Sequence, residues 1–227
     1  MDRLLHKTIE YCGYNINIYH DDDAESPRTA WDNLGTFYTA HRRFCPEKEF
    51  DKHFDFDEVC DGRPGVFKKE FLKKYIALNI YLYDHSGQTV STTPFSCGWD
   101  SGWFGMVAVP VEDIKKEYGW KSITKKRRER IEEYLRGEVE TYDDYITGEV
   151  YGFTITPIDD DFQEEDSCWG FYGSNAPSEI EEECKSFIDG MFAEKAKGTR
   201  VKIAENVYAY LKQLLIPFPD FDLGLTD

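Results

Sequence analysis

Apolar and polar side chains alternate near the start of the chain in a way that predicts β-structure. Between residues 8 and 19, apolar side chains recur at every second position, and the alternation changes phase at Gly13. A period of two is typical of a strand with one buried face, and a change of phase indicates a β-bulge. We therefore predict one bulged strand over residues 8–19 and a second strand over residues 34–43.

The middle of the chain predicts a β-hairpin. Residues 76–83 are almost continuously apolar, which is typical of a strand covered on both faces. Asp84-His85-Ser86-Gly87 has the composition of a turn, after which the chain returns as a strand over residues 89–95. The same kind of pattern predicts three later strands, over residues 103–109, 149–156 and 167–172.

A helical period appears in the second half of the chain. Apolar side chains at positions 131, 135, 139, 142 and 146 follow the spacing of one helix face. With Thr124 as the N-cap, this stripe predicts one helix over residues 124–147 that continues through Gly137. Ser178 and Glu181 form a capping box for a further helix. Shorter or weaker helical patterns cover residues 66–75, 110–119 and 201–215, the last ended by Pro217 and Pro219.

Together these elements predict an α+β fold with an antiparallel or mixed sheet and three or four packed helices. No low-complexity linker divides the chain, so we predict one domain over residues 1–227. No run of about 18 apolar residues is present, and the first residues lack the apolar stretch of a secretory signal. We therefore expect no membrane association and a cytoplasmic location in a bacterial host. The six cysteines are expected to be free thiols, and no spacing suggests a metal site or a cofactor.

The acidic residues are concentrated in one segment. Of the net charge of −17, residues 137–190 carry −15, from sixteen Asp and Glu against the single base Lys185. Such a field repels nucleic acid and attracts basic surfaces. The basic residues between Lys121 and Arg130 form only a small patch on a chain of pI about 4.7, so direct nucleic-acid binding is not expected. The predicted helix over residues 124–147 is basic at its start and acidic at its end, opposite to its dipole. This pattern indicates either docking on a charged partner or a solvated helix face.

Two turn segments have the residue types of a hydrolase, which we keep as the alternative function. His85 is a candidate base, and Cys97 or Asp100 is a candidate nucleophile or orienting group. Their spacing does not bring them together by itself, and Asp, Ser and Gly are also common in plain turns. The enzyme hypothesis therefore predicts that the two turns meet in a cleft.

Four segments are distinctive as short motifs: WDNLG at residues 31–35, LYDHSG at 82–87, WDSG at 99–102 and CWGFYG at 168–173. Together they resemble an uncharacterised protein family of bacteriophages and integrated mobile elements, over about residues 31–173. The resemblance implies no catalytic residues. It implies a setting in which small acidic proteins inhibit host defence machinery and some imitate the charge of DNA.

The leading hypothesis is a non-enzymatic inhibitor or adaptor that binds a basic, nucleic-acid-handling host protein. Charge complementarity would select the partner, and an exposed aromatic side chain would anchor it. The predicted binding residues lie on the long helix and the acidic loop: Glu138, Glu140, Asp143, Asp144, Asp159, Asp160, Asp161, Phe162, Glu164, Glu165 and Asp166.

Overall fold

The computed structural model describes residues 3–159 and 164–213. In chain order its elements are β1 (Leu5–Tyr11), β2 (Tyr14–His20), α1 (Pro27–Ala30), β3 (Thr36–Thr39), β4 (Lys48–Glu49), a 3-10 turn (Phe50–Lys52), α2 (Phe56–Val59), α3 (Lys69–Lys74), β5 (Tyr75–Asp84), β6 (Gln88–Ser91), β7 (Ser101–Pro110), α4 (Val111–Glu117), α5 (Lys125–Thr147), β8 (Val150–Pro157), β9 (Asp166–Tyr172) and α6 (Ala176–Gln213).

The strands form two sheets rather than one. The first sheet has the order β1-β2-β8-β9 and is antiparallel throughout. The second has the order β4-β3-β7-β5-β6 and is antiparallel except for the short β3–β4 pair. With six helices in the described part of the chain, the predicted α+β class is confirmed.

The prediction of one bulged strand over residues 8–19 is wrong, because the segment is a hairpin. Cys12 and Gly13 both have positive φ, 49° and 83°, and Tyr11 lies opposite Tyr14 across the turn. Two consecutive residues with positive φ make the tight turn whose twist matches a pair of antiparallel strands. A tight turn shifts the alternation of apolar residues just as a bulge does, so the pattern alone did not separate them.

The two helices predicted near the C-terminus are parts of one helix, α6. Residues 192–200, between the two predicted helices, contain no proline, and most of them favour helix. The predicted stops Pro217 and Pro219 lie outside the described residues.

The second sheet is covered on both faces, as the continuous apolar pattern of residues 76–83 predicts. The stripe of α5 packs on one face, and Ile131, Leu135 and Val139 are fully or almost fully buried there. On the other face, Phe50, Val59 and Phe71 pack against the strands. The predicted helix over residues 124–147 is therefore confirmed, with Thr124 capping it through a hydrogen bond from the Arg127 amide.

Helix α6 covers the first sheet. Its apolar positions Ile180, Cys184 and Ile188 pack against strands β2 and β8, where Ile16 and Ile155 are fully buried. The two sheets are nested in the chain: β1 and β2 of the first sheet precede the strands of the second sheet, and β8 and β9 follow them. Residues 1–110 therefore cannot complete the first sheet, because β8 and β9 follow β7 and α5.

A buried arginine connects the segment between β2 and β3 to α5. The Arg28 side chain is 0% exposed, and its Nη atoms lie 2.7 Å from Glu47 Oε2 and 3.1 Å from Glu138 Oε2. The guanidinium also donates to the Gly35 carbonyl and lies 3.9 Å from the Phe37 ring centroid. Glu138 accepts two backbone hydrogen bonds as well, from Leu34 and Gly35. Each charge is therefore paired and hydrogen-bonded, as burial requires.

Replacing Arg28 with Ala should destabilise the fold strongly, because Glu47 and Glu138 lose the one cation that pairs with them among the described residues. We expect the free energy of unfolding to fall by about 3–5 kcal/mol, measured by urea denaturation. Arg136→Ala is the matched control, since Arg136 is exposed on α5 and should cost less than about 0.5 kcal/mol. Equal losses in the two variants would contradict the structural role assigned to Arg28.

Candidate functional site

The acidic residues predicted to bind a partner have different roles in the structure. Glu138 lies in the Arg28 network and is only 16% exposed, which places it inside the fold. Asp143 Oδ1 accepts hydrogen bonds from the Val90 amide and the Thr89 hydroxyl, both at 2.7 Å. It thereby joins α5 to the edge strand β6. These two carboxylates stabilise the protein and are not available as a free surface.

Glu140 and Asp144 border a groove of about 320 Å³ between β6 and the C-terminal half of α5. Glu140 is exposed and Asp144 half-buried. Burial, together with the neighbouring carboxylates of Asp143, Glu149 and Glu140, raises the pKa of Asp144 to about 6. Within the described residues, neither Glu140 nor Asp144 forms an ion pair. The end of the long helix is therefore an uncompensated negative surface.

The acidic loop is described only at its two ends. Asp159 and Glu164 are exposed, while Glu165 and Asp166 are half-buried at the start of β9. The Asp166 carboxylate accepts a hydrogen bond from the Ser167 amide. Asp160, Asp161 and Phe162 lie outside the described residues, so the predicted aromatic anchor remains a prediction.

Helix α6 adds exposed acids that the predicted binding set did not include. Glu179, Glu182 and Glu183 point away from the first sheet, and Phe187 is 39% exposed beside them. The signal was in the sequence, because residues between the apolar positions 180, 184 and 188 must face outward. Glu181 differs from them, since it pairs with Lys7 and Lys185.

The basic start of α5 is partly used for packing. Arg128 donates to the Leu72 and Tyr75 carbonyls and so connects the helix to α3 and β5. Arg127 stacks on Trp120 at 4.6 Å and donates to the Ser122 carbonyl. The reversed charge of the helix therefore has a structural explanation at its basic end.

The three residues of the hydrolase hypothesis meet in space. Asp100 Oδ2 lies 3.4 Å from His85 Nδ1 and 3.8 Å from Cys97 Sγ. They meet because β5 and β7 are antiparallel neighbours with Tyr83 opposite Ser101, so the turns at that end of the two strands adjoin. The Asp84 amide also donates to the Asp100 carbonyl at 2.8 Å. Asp100 is the central group of the three, whereas in a nucleophilic triad the imidazole is central.

A groove of about 280 Å³ opens next to this cluster. Its walls include His41 and Phe104, and its polar edge includes Asp84 and Asp100. Trp99 stands at its rim and is 97% exposed. An indole so fully in water is unusual for a side chain that normally buries most of its area.

Comparison with family models, curated proteins and solved structures finds no match to this chain. The resemblance to a phage family therefore stays a prediction. All six cysteines are free thiols, of which only Cys60 and Cys184 are buried. Among the described residues, no group of three or more His, Cys, Asp or Glu side chains is placed to hold a metal ion. In the same part of the chain, no helix combines the length and apolarity needed to cross a bilayer.

Replacing Asp144 with Asn should stabilise the protein at neutral pH. Because the pKa of Asp144 is raised in the folded state, the folded protein binds this proton more tightly than the unfolded chain. Ionisation of Asp144 therefore costs stability as the pH rises through about 6. We expect the variant to melt a few degrees above the parent protein at pH 8 and at the same temperature at pH 4, measured by calorimetry.

Asp159→Asn is the control for this effect, since Asp159 is an exposed acid at the edge of the same negative region. It should leave the difference between pH 8 and pH 4 unchanged. A gain for Asp144→Asn that is the same at both pH values would contradict the raised pKa as its cause.

Proposed function

We propose that this chain is a non-enzymatic inhibitor or adaptor that binds a basic, nucleic-acid-handling host protein through its acidic surface. The setting that fits best is a phage or mobile element acting against host defence. The surface comprises acids at the end of α5, at the two ends of the acidic loop and on α6, all of them exposed except the half-buried Asp144: Glu140, Asp144, Asp159, Glu164, Glu179, Glu182 and Glu183.

The observation that supports this proposal is the lack of charge compensation. Among the described residues, none of the seven acids named above forms an ion pair with a basic side chain. Elsewhere in the chain, acids and bases are close to balance, with a remainder of −2 outside this segment. A protein that needed the charge only for solubility would not require it in one segment. Uncompensated carboxylates raise one another's free energy, and a basic partner would relieve that repulsion.

Phe187 is a candidate anchor for the same surface. It is exposed on α6 within one turn of Glu183, on the side of the helix that does not face the sheet. Interfaces gain most of their affinity from a few aromatic side chains surrounded by polar contacts. A phenylalanine among carboxylates fits that arrangement, because the charges speed association with a basic partner and the ring contributes affinity once it is buried.

Reversing charge on this surface should weaken binding to the host partner. We expect Glu140→Lys combined with Glu182→Lys to lower the affinity at least about tenfold at low salt and to reduce its salt dependence. The partner is captured from bacterial lysate with the tagged protein, purified, and its affinity measured at several salt concentrations. Asp51→Lys combined with Asp61→Lys is the matched control, because it makes the same change in net charge on exposed acids outside the segment.

Competition with duplex DNA tests the part of the proposal that concerns mimicry. If the acidic surface imitates nucleic acid, excess DNA should displace the partner, because both ligands occupy the same basic site. A partner that is retained equally by both charge-reversed proteins would contradict binding through the acidic surface. A partner that DNA does not displace would contradict mimicry of nucleic acid.

A hydrolase is the second candidate, and the observation that favours it is the contact between His85 and Asp100. A carboxylate at Nδ1 leaves Nε2 free to take a proton from an attacking water. The thiol of Cys97 donates toward the same carboxylate, with Sγ 3.8 Å from Asp100 Oδ2. In this candidate His85 is the base and Asp100 orients it.

The hydrolase candidate predicts that His85→Ala abolishes turnover of an activated ester such as p-nitrophenyl acetate. The melting temperature should hardly change, since the His85 side chain is exposed. Cys97→Ser should retain most of the activity. Equal turnover by the parent protein and His85→Ala would exclude this candidate and leave the binding proposal untouched.

A further inference from the structure

We infer that the groove beside Trp99 is a binding site for a cationic side chain, best fitted by the guanidinium of an arginine on a partner protein. The site lies on the second sheet, at the turns before β7 and after β5, and is separate from the acidic segment over residues 137–190. The inference therefore holds whether or not those acids bind the proposed partner.

The indole of Trp99 is almost fully exposed to water. Neither face of this indole is covered, although the turn that carries it is well anchored. The Ser101 hydroxyl donates to the Cys97 carbonyl, and the Asp84 amide donates to the Asp100 carbonyl at 2.8 Å. Because the turn is anchored, its backbone loses little conformational entropy when a ligand stacks on the flat face of the indole.

The walls of the groove are held in place by contacts within the protein. His41 forms one wall, and its orientation is set without a ligand by the hydrogen bond that its Nδ1 accepts from the Phe44 amide and by ring contact with Phe104. Phe104 is buried in the sheet and forms another wall. The groove therefore offers preformed aromatic surface, which favours flat or aliphatic groups.

The charge of the groove decides which flat group fits. Asp84 and Asp100 line it, and within the described residues neither pairs with Lys or Arg. The Nδ1 of His41 is engaged by the Phe44 amide, from which it accepts a hydrogen bond, and not by these carboxylates. Aromatic rings beside carboxylates that pair with neither Lys nor Arg are a combination that attracts cations, through the ring faces and through charge-assisted hydrogen bonds.

Arginine fits this combination better than lysine or a neutral sugar. Its planar guanidinium can stack on an indole while its N–H groups donate to a carboxylate. A lysine ammonium is a compact, strongly hydrated charge that gains less from stacking. A sugar also stacks on tryptophan, but it gains nothing from the net negative charge.

The test uses two short peptides, acetyl-Gly-Arg-Gly-amide and the same peptide with citrulline, the uncharged analogue of arginine. Binding is followed by NMR of ¹⁵N-labelled protein at pH 7.5, through the Trp99 indole N–H where it is present and through the backbone amides of Asp84 and Gly102 on the groove in every variant. We expect the arginine peptide to shift the Trp99 resonance in a saturable way and the citrulline peptide to bind at least about fivefold more weakly.

Variants locate the site. Trp99→Ala and Asp100→Asn should each weaken arginine binding about fivefold or more, while the exposed Trp31, which contacts Tyr172 near the first sheet, gives the control Trp31→Ala. Because Trp99 is exposed, Trp99→Ala should fold normally, and an unchanged melting temperature confirms it. His85→Ala should retain arginine binding, which separates this site from the hydrolase candidate.

Three results would overturn the inference. The first is that the citrulline peptide binds as tightly as the arginine peptide. The second is that Trp31→Ala lowers the affinity for the arginine peptide as much as Trp99→Ala does. The third is that methyl glucoside shifts the Trp99 resonance as strongly as the arginine peptide does. Failure of the acidic-segment variants to affect a host partner has no bearing on these outcomes.

Discussion

The ion network of Arg28 is the interaction on which the placement of α5 depends. One guanidinium with no exposure to water holds two carboxylates from distant parts of the chain and one backbone carbonyl. The same contact fixes the approach of Gly35 to the helix, where a Cβ atom would overlap the side chains of Leu135 and Val107. Through α5 the network also sets the position of Asp143 against β6 and of Asp144 at the helix end. The acidic groove therefore depends on a buried pair rather than on surface charge.

Periodicity predicted most of the individual elements and failed on how they associate. The stripe of α5 and the strands β5, β6 and β7 follow from local spacing, because burial of one face imposes that spacing directly. The pairing of β2 with β8 does not, since Ile16 and Ile155 are far apart in sequence and either strand fits several neighbours. For this reason a single sheet was expected where there are two.

The candidate sites show the same limit. Glu138 looks like a member of the acidic surface in sequence, yet it lies three residues after Leu135, at the border of the apolar stripe, where a partner on another segment can bury it. Its partner Arg28 is 110 residues away, and no local pattern connects them. The meeting of His85 with Asp100 was within reach of the sequence, because both residues end strands of one predicted antiparallel group. The exposure of Trp99 was not, since a tryptophan in a turn is more often buried at the rim of a core.

The nesting of the sheets has a consequence for synthesis on the ribosome. Strands β3 to β7 and helix α5 are consecutive, so the second sheet and its helix can assemble as soon as they emerge. The hairpin of β1 and β2 is synthesised before the second sheet, but its partner strand β8 follows about 130 residues later. Until then the apolar side chains of Ile16 and Ile18 stay uncovered. Long-range pairing of this kind slows folding and prolongs the exposure of an unpaired strand edge. The hairpin that precedes the second sheet in the chain is thus completed only after that sheet, and chaperones that bind extended apolar segments would find a target there.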